Sequence, residues 1–554
     1  MFPVATLLVS VLLALLAWET DPVRPAPKVW MAAFGVLVPT LSAGAEAWWQ
    51  VRVRQRRAKQ CHEGGSAGPE EGTERSIEGE PPRAAAARVR LSALVGWVWV
   101  LFGAGWAGFA RTSPWTDWVL LDEMLLMAPL PFLWFMSWVG EIAVYRAAGY
   151  EVPLRAHLGW RGRTYGFPAV PLIALVAVVD VIRVLGWMPV FESFAYLSWG
   201  TLAVGVAVLF VASPWLVRAV LPSEPLPPGR VRDIVVTLEG ADARAVRRVR
   251  VWKTGGRYVN AAIVGLSRRW QTILLSDALL KVLPPSEVAA VYAHERAHGT
   301  NGHAVLFLLL AMAFVVGFYP VSEMLPPDPL VGGGAAAAFA AVCWLGLFGW
   351  VSRRVEREAD LDGAVTVGRA DPMILALARI RAMVGGKEGW LATWRHFSTD
   401  RRIAALTDLV RDPSHRARAR RTRERLTGLA VAMLVVAVGA AALRVPRDHL
   451  EGRMLLALEQ ERYTDYEKLA GRAESKYPND PWLTWLDALA SARQGRTEEA
   501  VTKIERMLAL DPPSVLRREA MEALRELEAQ GSADESSPAQ PVGSEPVEES
   551  MEVD

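Results

Sequence analysis

Three of the eight histidines in this chain fall within thirteen residues, Val291–His303, "VYAHERAHGTNGH". His294-Glu295-Arg296-Ala297-His298 is an HExxH. On a helix, residues four apart share a face, so His294 and His298 can reach one ion together. Glu295 is offset by about 100° around the helix, which sets its carboxylate beside such an ion, where a general base acting on water belongs. Two imidazoles are too few for catalytic zinc, which takes three protein ligands and keeps one position open. The segment "SRRVEREADLDGA", residues 352–364, offers the third. Glu356 and Asp360 lie four apart on one helix face, so Glu356 can bind the ion while Asp360 holds a ligand imidazole by its free N–H. Glu358 falls on a different face and reads as solvated. His303, five residues after His298, reads as off the ligand face at the helix end. The competing account of the acidic group is a salt-bridged helix with Arg353, Arg354 and Arg357, since surface charge pairs are common.

Several elements must position these groups. "LPPSEVAAVYAHERAHGTNGHAV" reads as a helix, with Pro284 and Pro285 stopping what precedes it and Ser286 as N-cap. "VRRVRVW" and "TILLSDALL" read as strands with "YVNAAIVGLS" between them. The strand around Asn260 has an edge to which an extended substrate can add by backbone hydrogen bonds, or it is simply a core strand. Glu356 lies 58 residues beyond His298. The apolar runs 304–320 and 330–351 close that distance, because a membrane hairpin returns the chain to the face it left.

The rest of the composition supports a membrane setting. The 554 residues are 52% hydrophobic with 23 Trp. Runs near bilayer length occur at 2–18, 29–49, 91–110, 118–145, 167–188, 195–217, 304–320, 330–351 and 428–444. Asp180 and Arg183, one turn apart in 167–188, either pair inside the bundle or leave Arg183 snorkelling to the surface. Lys and Arg concentrate in 50–90, 146–166 and 352–427, which puts those loops, the N-terminus and the HExxH segment in the cytoplasm and the C-terminal region outside. A net charge of +2 gives no basic excess for nucleic acid, and two cysteines exclude a CxxC zinc site.

The chain therefore divides into two spans (1–49), a disordered cytoplasmic loop (50–90), four further spans (91–217), a zinc metallopeptidase domain (218–427) that includes the hairpin 304–351, a last span (428–444), a helical region (445–530) and a disordered acidic tail (531–554). "DALASARQGRTEEAVTKIERMLALDPP" follows the tetratricopeptide pattern loosely, with Gly495, Ala500, Ile504 and Pro512, and Pro478 stands 34 residues before Pro512. A generic helical hairpin fits as well. Such a region is a candidate protein-binding module.

At this point the sequence resembles the integral-membrane zinc metallopeptidases related to HtpX and the CAAX prenyl proteases. Four segments agree in order over about 222–410. They are "YVNAAIVGL" with Asn260, Ala261 and Gly265, the HERAH helix with the strand before it, "SRRVEREADLDGA", and "HFSTDRRIAAL" with His396, Arg402 and Ile403. The chain departs from the family pattern at Arg357, where an apolar residue commonly follows the ligand Glu, and at Phe397, where Pro is usual. Its six N-terminal spans exceed those of the HtpX type. The resemblance implies one zinc ion per chain on His294, His298 and Glu356, with Asp360 supporting a ligand and Glu295 as base. It implies His396 as a donor to the oxyanion and Asn260 beside the substrate. The expected fold class is mainly α: a polytopic membrane helix bundle with an HExxH, gluzincin-type metallopeptidase domain carrying a small β-sheet, plus a C-terminal tetratricopeptide-like helical hairpin domain. The expected function is a bacterial inner-membrane zinc endopeptidase with protein or peptide substrates, its site on the cytoplasmic side. Two alternatives stand beside it: a receptor-type signalling metallopeptidase with an outer sensor domain, and a non-catalytic scaffold.

Overall fold

The structure is a computed structural model. It describes residues 29–63, 83–112, 120–240, 243–256, 258–267, 269–322, 325, 329–383 and 397–535, together with Leu7, Ser10, Val11, Leu13, Ala14 and Ala17. The chain separates into two compact units, residues 1–188 with 196–442, and residues 189–195 with 443–554.

In the first unit, six helices among the described residues are long and apolar enough to cross a membrane: Ala85–Gly103, Glu123–Ala147, Ala195–Val220, His303–Val321, Gly334–Val367 and the helix Ser414–Glu459, which continues into the second unit. The expected spans 29–49 and 167–188 fall on the helices Val29–Glu63 and Leu154–Val184, which are not among those six. Span 2–18 falls largely outside the described residues. Asp180 is buried and pairs with Arg183, so of the two readings of this turn the paired one holds. The expected disordered loop 50–90 needs correcting at both ends. Helix continues to Glu63 and resumes at Arg83, because "VRVRQRRAK" and "RAAAARVR" are built mostly from good helix formers. Residues 64–82 lie outside the described residues, as does the tail from 536.

The peptidase segment is built on a four-stranded sheet of β1 (Ser223–Pro225), β2 (Val249–Trp252), β3 (Ala261–Val264) and β4 (Thr272–Ser276) in the order β1-β2-β4-β3. β2 and β4 are parallel, and β1 and β3 join antiparallel. "TILLS" is buried throughout and forms a central strand, whereas β3 lies at an edge. Val249, Val251, Ile273 and Leu275 pack with Leu279, Val288 and Tyr292, which seats the sheet on helix α1, Pro285–Thr300. That helix starts with Pro285 in its first turn and Pro284 as the N-cap residue, so Ser286 is not the cap. It breaks at Asn301-Gly302, where Gly302 takes φ +69°, and α2 (His303–Ser322) leads away as an apolar helix.

The chain returns through Pro329–Ala341 and a π-helical stretch, Val342–Phe348, into α3, Gly349–Val367. Helices α4 (Asp371–Met383), α5 (Thr399–Arg411) and α6 (Ser414–Glu459) follow. The second unit consists largely of short helices, α7 (Tyr463–Lys476), α8 (Pro481–Arg493), α9 (Thr497–Ala509) and α10 (Ser514–Glu535). Asp480 caps α8 by accepting from the N–H groups of Trp482 and Leu483. Gly495, at φ +73°, makes the turn between α8 and α9. Trp485, Ile504, Met507 and Leu516 form the core there.

Candidate active site

The site forms where α1 and α3 cross. Gly363 permits the approach, since a Cβ there would lie 3.0 Å from the His294 backbone nitrogen. From α1 come His294 and His298, and from α3 comes Glu356. One donor atom from each lies within 4.8 Å of the others. The two Nε2 atoms are 3.2 Å apart, and each is 3.6 Å from a Glu356 carboxylate oxygen. Two neutral-capable imidazoles and one carboxylate converging on a point form a donor set suited to zinc, and it is the His₂Glu set of catalytic zinc sites. Of the residues expected to hold the ion, the structure brings all three together.

The supporting shell is also present. Asp360 is buried and its Oδ1 lies 2.9 Å from His294 Nδ1, with the oxygen out of line with the ring N–H, so the contact is an ion pair more than a straight hydrogen bond. Arg402 of α5 grips Asp360 at both oxygens, donating from Nε at 2.8 Å and from Nη2 at 2.6 Å. A buried carboxylate next to a ligand needs a cation of its own. The resemblance of "HFSTDRRIAAL" singles out Arg402, and this requirement gives it a role. Burial opposes charge on His294, but the Asp360 and Glu356 carboxylates more than offset it and push its pKa up to about 10. Burial drives His298 well below the usual imidazole range, against the pull of Glu356. On the outer side of α1, Tyr292 and Arg296 both donate to Glu239, which fixes the rotation of the helix.

Glu358 is not solvated. It is 1% exposed, paired with His303 and Arg423. Helical periodicity places it away from Glu356, but α6 covers that side of α3. His303 is not among the converging donors, as expected.

A cavity of about 610 Å³ opens onto the three converging side chains. Glu295 lines it beside His294 and His298, as do Ala261 and Ile263 of β3 and Asn260 just before it. Met373, Leu377 and Ile380 add apolar lining. The Asn260 carbonyl accepts from Ser276 N–H. Antiparallel alternation then turns the N–H and C=O groups of Ala261 and Ile263 away from β4. Arg402 and Phe397 also line the cavity. The two departures from the family pattern meet there: the Arg357 guanidinium lies 4.4 Å from the centroid of the Phe397 ring. His396 lies outside the described residues.

A helical chain with long apolar helices carries a His₂Glu cluster beside a strand edge, a donor set found in metallopeptidases. The family described as Peptidase family M48 matches over residues 237–410. A Protease HtpX homolog from Bordetella pertussis (strain Tohama I) is 33% identical over 178 residues, covering 26% of this chain and 60% of that protein. Protease HtpX from Xylella fastidiosa (strain 9a5c) is 34% identical over 144 residues, covering 23% of this chain and 48% of that protein. The crystal structure of S. mikatae Ste24p matches with a TM-score of 0.42 at 15% identity, over 67% of this chain and 98% of that one. The chain spans about three fifths or less of the length of these curated relatives. Over residues 237–410 the chain is similar to Peptidase family M48 and to the HtpX proteases.

Proposed function

We propose that this protein is a zinc-dependent endopeptidase of a bacterial inner membrane that cleaves membrane or membrane-proximal proteins on the cytoplasmic side. The observation that carries this reading is the convergence of His294, His298 and Glu356 beneath a cavity edged by β3. Zinc held by these three residues supplies a Lewis acid that polarises the scissile carbonyl and makes water acidic. The protein's own groups do the rest. An extended peptide adds to β3 through the outward N–H and C=O groups of Ala261 and Ile263, with Asn260 at the end of that edge. Glu295 takes the proton of the attacking water and passes it to the leaving amine. Asp360, held by Arg402, keeps the His294 proton on Nδ1 and so leaves Nε2 to the cation. His396 is assigned to the oxyanion by its place in the family pattern. The bilayer position follows from the apolar helices and the basic loops, and the second unit is a candidate surface for a protein partner.

The test is Glu295→Gln in the purified full-length protein. Zinc content should stay at one ion per chain while cleavage of a casein or membrane-protein substrate falls by about 10²-fold or more. Retained cleavage would remove Glu295 from the mechanism, and a wild-type protein without zinc would remove the proposal.

A further inference from the structure

The third histidine of the cluster remains to be placed. His303 is 2% exposed and both of its ring nitrogens are engaged. Nδ1 lies 2.7 Å from His298 Nδ1, and Nε2 lies 3.0 Å from Glu358 Oε2. The far oxygen of Glu358 accepts from Arg423 Nε of α6 at 3.2 Å. With both nitrogens occupied, His303 has none to offer a cation.

The proton positions follow from the contacts, on the reading that His298 presents Nε2 to zinc. His298 must then carry its proton on Nδ1, which donates to His303 Nδ1. His303 in turn carries its proton on Nε2 and donates to Glu358. The chain runs in one direction, from ligand imidazole to relay imidazole to carboxylate, and Arg423 closes it. We propose that His303, Glu358 and Arg423 are positioning residues that fix the tautomer and ring orientation of the zinc ligand His298. The inference rests on the zinc reading above. It makes the two ligand imidazoles equivalent in principle: each ends on a buried carboxylate held by an arginine, His294 directly on Asp360 and Arg402, His298 through one intervening ring.

Backbone features support the role. The break at Asn301-Gly302, with Gly302 in the left-handed region, turns His303 back beside His298. Asn301 Nδ2 donates to Asp362 at 2.7 Å, and Arg416 pairs with the same carboxylate, which pins the break to α3 and α6. A buried carboxylate is unfavourable unless it is paired and hydrogen-bonded. Glu358 meets that condition through His303 and Arg423.

The experiment compares full-length wild type with His303→Phe, His303→Asn and Glu358→Gln. Zinc affinity is measured against a chelating indicator, the visible spectrum is recorded with cobalt in place of zinc, and melting is followed without metal. Phe fills the space but cannot accept from His298, so affinity should fall about 10- to 100-fold and the cobalt bands should shift. Asn places Oδ1 where Nδ1 was and should restore most of the loss. Glu358→Gln should weaken zinc in the same direction, and it decides the matter if His303→Phe does not fold. Wild-type affinity and an unchanged cobalt spectrum in a folded His303→Phe or Glu358→Gln protein would overturn the inference while leaving the zinc reading intact. Failure of wild type itself to bind zinc would instead overturn the zinc reading, and this inference with it.

Discussion

At the scale of single residues, the ligands were legible and their supports only partly so. HExxH names its own geometry, because spacing of four on a helix is enough to put His294 and His298 together. Glu356 and Asp360 were legible by the same spacing. Glu358 was misread because periodicity tells which faces differ and not which neighbour covers each one; α6, some sixty residues on, buries it. The same local picture yields a pH prediction. In the protein alone His294 is protonated up to about pH 10, and zinc must displace that proton. The sign is fixed by the raised pKa: the proton's contribution to stability is full below the usual histidine value and is lost as pH rises through about 10. Apparent zinc affinity should therefore increase by about tenfold per pH unit from about pH 7 to about 9, as one proton is released on binding. Competition titrations across that range would show it. A flat profile would mean that His294 is neutral before the cation arrives.

At the scale of elements, the sequence foretold β2, β4 and the active helix, but not β1, the short helix Asp277–Val282 that takes the second half of "TILLSDALL", or how closely the helices approach. Nothing in "DLDGA" marks Gly363 as the point at which α3 meets the backbone of α1. In Gly363→Ala the new methyl would face His294 N at 3.0 Å and Cα at 3.1 Å, both backbone atoms with no rotamer to yield. The helices must part by a few tenths of an ångström, which carries Glu356 away from the imidazoles. A loss of about 1–3 kcal/mol in stability is expected, together with weaker zinc binding. Gly299→Ala is the informative control. Its Cβ would press on the tips of Gln271 and Ile263, side chains that can turn aside, so its effect on zinc should be the smaller of the two. Equal zinc affinity in the two variants would show that the α1–α3 spacing does not set the site. The π-helical stretch before α3 was not legible at all. An apolar run carries no mark of where a helix widens, although the widening sets the rotational phase of Glu356 behind it.

At the scale of the whole molecule, charge and hydropathy speak where local geometry does not. The three apolar helices His303–Val321, Gly334–Val367 and Ser414–Glu459 separate residue 253 from residue 468 along the chain. If each crosses once, the crossings are odd in number and the two positions face opposite compartments. On the orientation proposed above, residue 253 lies inside. Both Lys253 and Lys468 are exposed and suit replacement by cysteine, and the two native cysteines can be removed by Cys61→Ser and Cys343→Ser. In intact cells a membrane-impermeant maleimide should label Lys468→Cys at once and Lys253→Cys only after the membrane is opened. Labelling of both from outside, or of neither, would mean that one of the three helices does not cross. The site would then still hold its ligands, but the helical unit beyond α6 would share a compartment with it. If neither is labelled, the receptor-type alternative, which needs that unit outside, falls, and a cytoplasmic protease that recruits substrates through its own C-terminal helices is favoured; if both are labelled, the cytoplasmic placement of the site falls instead.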